Sequence, residues 1–173
     1  MEYMLKRIHR DGIDAALQKA DKYRELSQPM EAASICRDVL AVDADNQLAQ
    51  RILGLALTDQ FGASSDALFV EAERVFSRLY DPYERAFYTG IAYERRAKAQ
   101  LAASIPLYSV RPLFEQALAR YTEAEALRPT GNDDPVLRWN SCVRALQAAP
   151  GFATVREHEV KGDWEADSAP HHR

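Results

Sequence analysis

The sequence predicts an all-α protein, and three observations carry that expectation. Apolar residues recur at spacings of three and four, not two, as one face of a helix requires. Alanine, leucine, glutamate and arginine dominate, and runs of β-branched residues are scarce. Helix-start and helix-stop chemistry recurs at short intervals along the chain.

Taken in order, the first helix is expected over about 11–26, with Ala16, Ala20 and Tyr23 forming one row. Ser27, shortly before Pro29 and Glu31, marks the start of a second over 29–42. Leu53, Ala56, Leu57 and Phe61 place a third over 47–61, closed by Gly62. Ser64-Ser65-Asp66 opens a fourth over 66–79. Asp81-Pro82-Tyr83-Glu84 reads as a full capping signature for a fifth over 82–103. Asp81 accepts a backbone N–H, Pro82 suits the first helical position, and Glu84 reaches back. Phe87, Gly90 and Ile91 continue its rhythm. Ile105-Pro106 breaks that helix, and Ser109 to Pro112 begins a sixth over 110–128. Asp134-Pro135 starts a seventh over 135–148, and Pro150-Gly151 ends it. Residues 150–173 are polar and aperiodic, which predicts a flexible tail, partly disordered or laid over the last helices, after a helical domain spanning 1–149.

Composition narrows the function. At 173 residues the chain suffices for one domain with a real core. Apolar residues are 47% and charged residues 28% of the sequence, as in an ordinary globular protein. No apolar run is long enough to span a bilayer, and no apolar h-region follows Lys6, Arg7 and Arg10. A net charge of −4 with both signs interspersed argues against a nucleic-acid partner. The densest basic cluster, Arg95, Arg96 and Lys98, reads as a solvated face. Cys36 and Cys142 sit far apart in helical patterns, so they read as buried thiols in a reducing, cytoplasmic compartment.

Repetition at a fixed period is the next feature. Ala20 and Tyr23 are followed by Ala32, Cys36 and Val39, then a closing turn Val42-Asp43-Ala44-Asp45-Asn46. Leu53-Gly54 with Leu57 is followed, after an insertion, by Ala72, Phe76 and Leu79. Gly90 and Tyr93 are followed, after a longer insertion, by Ala117, Tyr121, Ala124 and Pro129. In these three places the chain resembles the tetratricopeptide repeat family. Its repeat is an antiparallel pair of helices carrying Trp-x2-Leu-Gly-x2-Tyr and Ala-x3-Phe-x2-Ala-x4-Pro. The resemblance covers about residues 11–148. It implies a right-handed solenoid of about three helix pairs, with 135–148 as the capping helix. The stretch from Arg128 to Asp134, followed by Leu137-Arg138-Trp139-Asn140, is similar to one in small bacterial proteins of this kind and implies no known activity.

That resemblance implies a binding surface on the first helix of each pair. By position it comprises Asp14, Leu17, Asp21 and Arg24, then Leu48, Arg51, Leu55 and Asp59, then Glu84, Phe87, Ile91, Glu94 and Arg95. Trp139 and Val143 continue it. Arg51, Leu55, Asp59, Phe87, Ile91, Glu94, Arg95 and Trp139 are the partner-binding candidates, since apolar anchors with charged flanks suit a bound peptide. The alternative is that these apolar groups only pack lengthened helices together. Some members of the family clamp a C-terminal carboxylate, and Leu17 and Asp21 stand where its Lys and Asn would be, so that activity does not transfer. Trp139 reads either as an interface anchor or as a cap on the core, and Asn140 as a tie to the preceding loop.

No phosphate-binding glycine loop, nucleophile elbow or complete metalloprotease signature is present. His158-Glu159 lacks the second histidine, with Gly162 in its place. Glu157, His158, Glu159, His171 and His172 could in principle coordinate a metal, but they lie in a tail expected to lack fixed geometry, so no metal or cofactor is expected. Arg37 adjoins Cys36 without making it a convincing nucleophile. The expected function is a non-catalytic adaptor or assembly factor with a protein or peptide partner. Two rivals stand beside it. One is a small-molecule or catalytic accessory pocket using Tyr88, Tyr108, Arg95, Arg111 and Glu115. The other is a structural homo-oligomer.

Overall fold

A computed structural model describes residues 3–62 and 64–152, and the tail beyond Phe152 lies outside them. A short 3-10 turn, Arg10–Gly12, precedes seven α-helices. These are α1 (Ile13–Glu25), α2 (Pro29–Val42), α3 (Gln47–Thr58), α4 (Asp66–Phe76), α5 (Pro82–Ala102), α6 (Leu107–Leu127) and α7 (Asp134–Ala148). No strand occurs among the described residues.

The local reasons for these elements are visible. Asn46 caps α3 by accepting from the Ala49 amide at 2.9 Å, and Asp81 caps α5 by accepting from Tyr83 at 2.9 Å. Pro29 and Pro82 occupy first helical positions, where a missing N–H costs nothing. Helices α1 and α5 end on serines with left-handed backbone, Ser27 at φ 57° and Ser104 at φ 62°. After each, the following amide reaches back five residues, Gln28 to Tyr23 at 2.8 Å and Ile105 to Gln100 at 3.0 Å. This paired closure is the usual αL helix stop, made here by serine where glycine is more common.

Several expected boundaries move. Helices α3 and α4 each stop three residues early and tighten into i→i−3 turns, Phe61 to Thr58 and Leu79 to Phe76. Ser27 terminates α1 and caps nothing, and Glu84 does not reach back to Asp81 but crosses to α3. Asp134 lies inside α7, and its amide is held by Asn132 at 3.0 Å. Helix α6 begins at Leu107, not 110, and runs through Pro112. Its buried stripe explains that: Leu107, Val110, Phe114, Ala117, Tyr121 and Ala124 recur at three and four without interruption. The proline removes one intrahelical bond, on an exposed side of the helix.

Each helix packs against the next in sequence, and α5 and α6 do so most extensively. In addition α1 meets α3, α3 meets α5, and α5 meets α7. One core cluster joins α1 to α4 and includes Leu17, Cys36, Leu57 and Phe76. A second joins α5 to α7 and includes Phe87, Val110, Phe114 and Tyr121. Leu55, Tyr88 and Tyr93 pack against both. Aromatic contacts cross the junction: Tyr88 stacks on Phe76 at 5.6 Å and meets Phe87 edge-on at 5.3 Å. Full burial of each such large side chain stabilises the fold by roughly 1.5–3 kcal/mol.

Two glycines let helices approach closely. Gly54 of α3 faces the Phe76 ring of α4, and Gly90 of α5 faces the Tyr121 ring of α6. A β-carbon at either position would collide with that ring.

Candidate functional site

The odd-numbered helices are stitched together by ion pairs, in which Arg51, Asp59, Glu94 and Arg95 of the predicted binding residues take part. Asp59, just past α3, accepts from Arg24 of α1 at 2.8 Å and from Arg95 of α5. Arg95 also donates to the Thr58 hydroxyl at 2.6 Å and to the Leu55 carbonyl at 3.4 Å. Arg51 of α3 pairs with Glu84 of α5 at 2.8 Å. Glu94 of α5 is met by Arg138 of α7 at 3.3 Å. Burial pushes the Arg95 guanidinium below its ordinary range; Asp59 opposes this and Arg138 adds to it.

Glu94 is the most enclosed charge, only 1% exposed. The Tyr121 hydroxyl donates to it at 2.5 Å and the Lys98 ammonium at 2.5 Å. Lys98 also donates to Ser141 of α7 at 2.9 Å. Burial, reinforced by the Glu94 charge, pushes the Tyr121 hydroxyl far above the usual tyrosine range. A buried carboxylate with several donors is the arrangement that burial demands.

The candidates therefore divide. Arg51, Leu55, Asp59 and Arg95 come together at the α3–α5 junction, partly accessible. Leu48 is 41% exposed one helical turn before Arg51. Phe87, Ile91 and Glu94 do not line an open surface: they are enclosed in the α5–α7 core, as Leu17 is in the first core. The lengthened α5 and α6 pack along each other and cover that side of α5, which the repeat positions did not reveal. Trp139 is 38% exposed, one residue beyond Arg138, and makes no hydrogen bond or ring contact among the described residues. Asn140 does not tie down the preceding loop. Asn132 does so, donating to the Tyr83 hydroxyl at 2.7 Å.

The basic cluster of α5 is likewise not a solvated face. Arg95 turns to Asp59, Lys98 to Glu94, and Arg96 to Asp66 at 2.5 Å, with its guanidinium 4.3 Å above the Phe69 ring. Arg37 spans from α2 to Glu71 of α4 at 3.1 Å. Sequence reasoning named these residues, Glu71 excepted, but missed that they pair across helices. The signal was a charge of opposite sign about one repeat away, as in Arg24 with Asp59 and Arg51 with Glu84.

Cys36 and Cys142 are fully buried, and burial pushes both thiols up to about 12, so neither supplies a thiolate near neutrality. No cluster of metal-ligating side chains occurs among the described residues, and the tail histidines lie outside them. Tyr88 is packed on Phe76, Tyr108 is 73% exposed, and Arg111 pairs with Glu115 along α6 at 2.8 Å. None of these five pocket candidates, Arg95 included, lines any of three open clefts. The first, about 500 Å³, lies between α4, α5 and α6 around Arg74, Arg85 and Arg120. The second, about 310 Å³, lies beside Ile8 and Ile35. The third, about 440 Å³, lies between the α5–α6 turn and the end of α7.

No described helix is long and apolar enough to cross a membrane. No family model, no curated protein and no solved structure matches the chain.

Proposed function

We propose that this chain is a non-catalytic, cytoplasmic protein-interaction module, built as a tetratricopeptide-like solenoid that presents its odd-helix face to a peptide or protein partner. The solenoid reading is supported by the order of packing, each helix on the next and α1, α3, α5 and α7 also on one another. It is supported too by the small residues Ala20, Gly54 and Gly90, 34 and 36 residues apart, of which the two glycines each receive an aromatic ring from the following helix.

The observation that carries the functional reading is the composition of the α1–α3–α5–α7 face. Arg24 and Arg95 share the single carboxylate of Asp59, and Lys98 and Arg138 share that of Glu94. Leu48 and Leu55 of α3 and Trp139 of α7 are partly exposed. Cations that share carboxylates, beside apolar groups, suit a segment with an apolar anchor and acidic flanks. Making Leu48 and Trp139 acidic tests this: binding of a captured partner should fall while the fold survives. Retained binding would remove this face from the interface.

A further inference from the structure

We propose that α7 is a cap that opens as a unit while α1–α6 stay folded, latched by the buried carboxylate of Glu94. Three observations converge. The first is thin apolar anchorage. Helix α7 fully buries only Pro135 and Cys142, with Ala145 and Leu146 partly buried against the same core, whereas α6 fully buries Leu107, Val110, Phe114, Ala117, Tyr121 and Ala124. The second is underpacking. A cleft of about 440 Å³ is lined by Leu101, Ile105 and Leu107 on one side and by Ala145 and Ala148 on the other, so small side chains face it from the C-terminal half of α7 and fill little of it. The third is that α7 is also held by polar, directional contacts: Arg138 to Glu94 and Lys98 to Ser141, with Asn132 of the preceding loop donating to Tyr83.

The geometry also makes opening inexpensive. Lifting α7 breaks Arg138–Glu94 and Lys98–Ser141. It leaves Glu94 with Tyr121 and Lys98, both on α5 and α6, and admits water to the carboxylate. No charge is stranded, so the usual penalty for splitting a buried pair is largely avoided. Segments with few buried apolar contacts are the ones that open below the global unfolding free energy. Opening would uncover the α5–α6 surface around Tyr121 and free Arg138 and Trp139 from their places.

The protein carries its own reporters. Cys142 lies in α7 and Cys36 in α2; both are fully buried, and both thiols are pushed up to about 12. Opening removes the burial that raises them and returns each thiol toward its ordinary value of 9.0, so native-state labelling by an aromatic disulfide reads the opening of each helix. Cys142 is expected to react at least about tenfold faster than Cys36, with a weaker dependence on denaturant. Glu94→Gln should raise the Cys142 rate about tenfold again and leave Cys36 unchanged. Arg138→Met removes only the α7 side of the pair and should raise it several-fold. One shared rate for both thiols, rising together with denaturant, would overturn the cap. Equal acceleration of both thiols by Glu94→Gln, or of neither, would overturn the latch.

Discussion

The Tyr121 ring of α6 occupies the space that a β-carbon on Gly90 of α5 would need, with its nearest atom 2.7 Å from that position. The ring cannot swing aside, because its hydroxyl is held by Glu94 and it is fully buried. Phe76 stands closer still to the corresponding point on Gly54.

Gly90→Ala should therefore destabilise the protein by about 1–3 kcal/mol through overpacking, despite the roughly 1 kcal/mol that alanine gains in a helix interior. Gly54→Ala should cost more. Gly12→Ala, which meets nothing within 4 Å, should be near neutral. Urea denaturation of the three variants ranks them directly.

Charge reversal at Arg95 should cost more than at Arg51. Arg95 donates to Asp59, Thr58 and the Leu55 carbonyl, so Arg95→Glu removes three hydrogen bonds and sets a second carboxylate beside Asp59, which keeps only Arg24. A loss of about 1–3 kcal/mol is expected. Arg51→Glu breaks one partly exposed pair, worth about 0.5–1 kcal/mol. The exchange Arg51→Glu with Glu84→Arg should restore most of that. Thermal melts are the measurement, at about 2–4 °C per kcal/mol for a domain of this size.

Alkaline pH should unfold the protein progressively. The ordinary thiol value is 9.0, and burial lifts Cys36 and Cys142 to about 12. Burial and Glu73 lift Tyr93 from 10.0 to about 12. In each case the folded state holds its proton more tightly than the unfolded chain. Their contribution is intact below pH about 9 and falls as pH rises toward about 12. A Cys36→Ala, Cys142→Ala double variant should show a shallower decline over that window when stability is measured by urea titration.

Ser27 and Ser104 are expected to be improvable. Each pays roughly 1–2 kcal/mol for left-handed backbone that glycine adopts freely. Glycine also adds about 0.4–1 kcal/mol of unfolded-chain entropy. Ser27→Gly and Ser104→Gly should each give a net gain of about 0.5–1 kcal/mol, read as a higher denaturant midpoint.

The all-helical architecture was legible because periodicity and capping are local. Asp81 and Pro82 act as their types predict, and Gly54 and Gly90 lie where bulky rings leave no room for a side chain. Helix stops were harder. Ser27 looks like a start, and only its left-handed backbone shows that it ends α1. The stripe from Leu107 to Ala124 was readable through Pro112, but the proline outweighed it in a local reading. Of the binding candidates, Asp59 and Arg95 meet in one ion pair, and Arg51 pairs separately with Glu84. The burial of Phe87, Ile91 and Glu94 was not legible, because it depends on how far α5 and α6 extend along each other, a tertiary property.

The odd-helix face is the centre of the account, and comparative capture from the native cell extract tests it most directly. The wild type, a Leu48→Asp, Trp139→Asp variant, and a Val70→Asp variant would be immobilised in parallel. Val70 is 62% exposed on α4 and serves as the control, since it lines the cleft between α4, α5 and α6. All three should melt within a few degrees of one another, since exposed substitutions usually shift stability by no more than about 0.5 kcal/mol. The account predicts a partner retained by the wild type and the Val70 variant and lost by the Leu48, Trp139 variant. Capture by all three alike, or loss only with Val70→Asp, would contradict it.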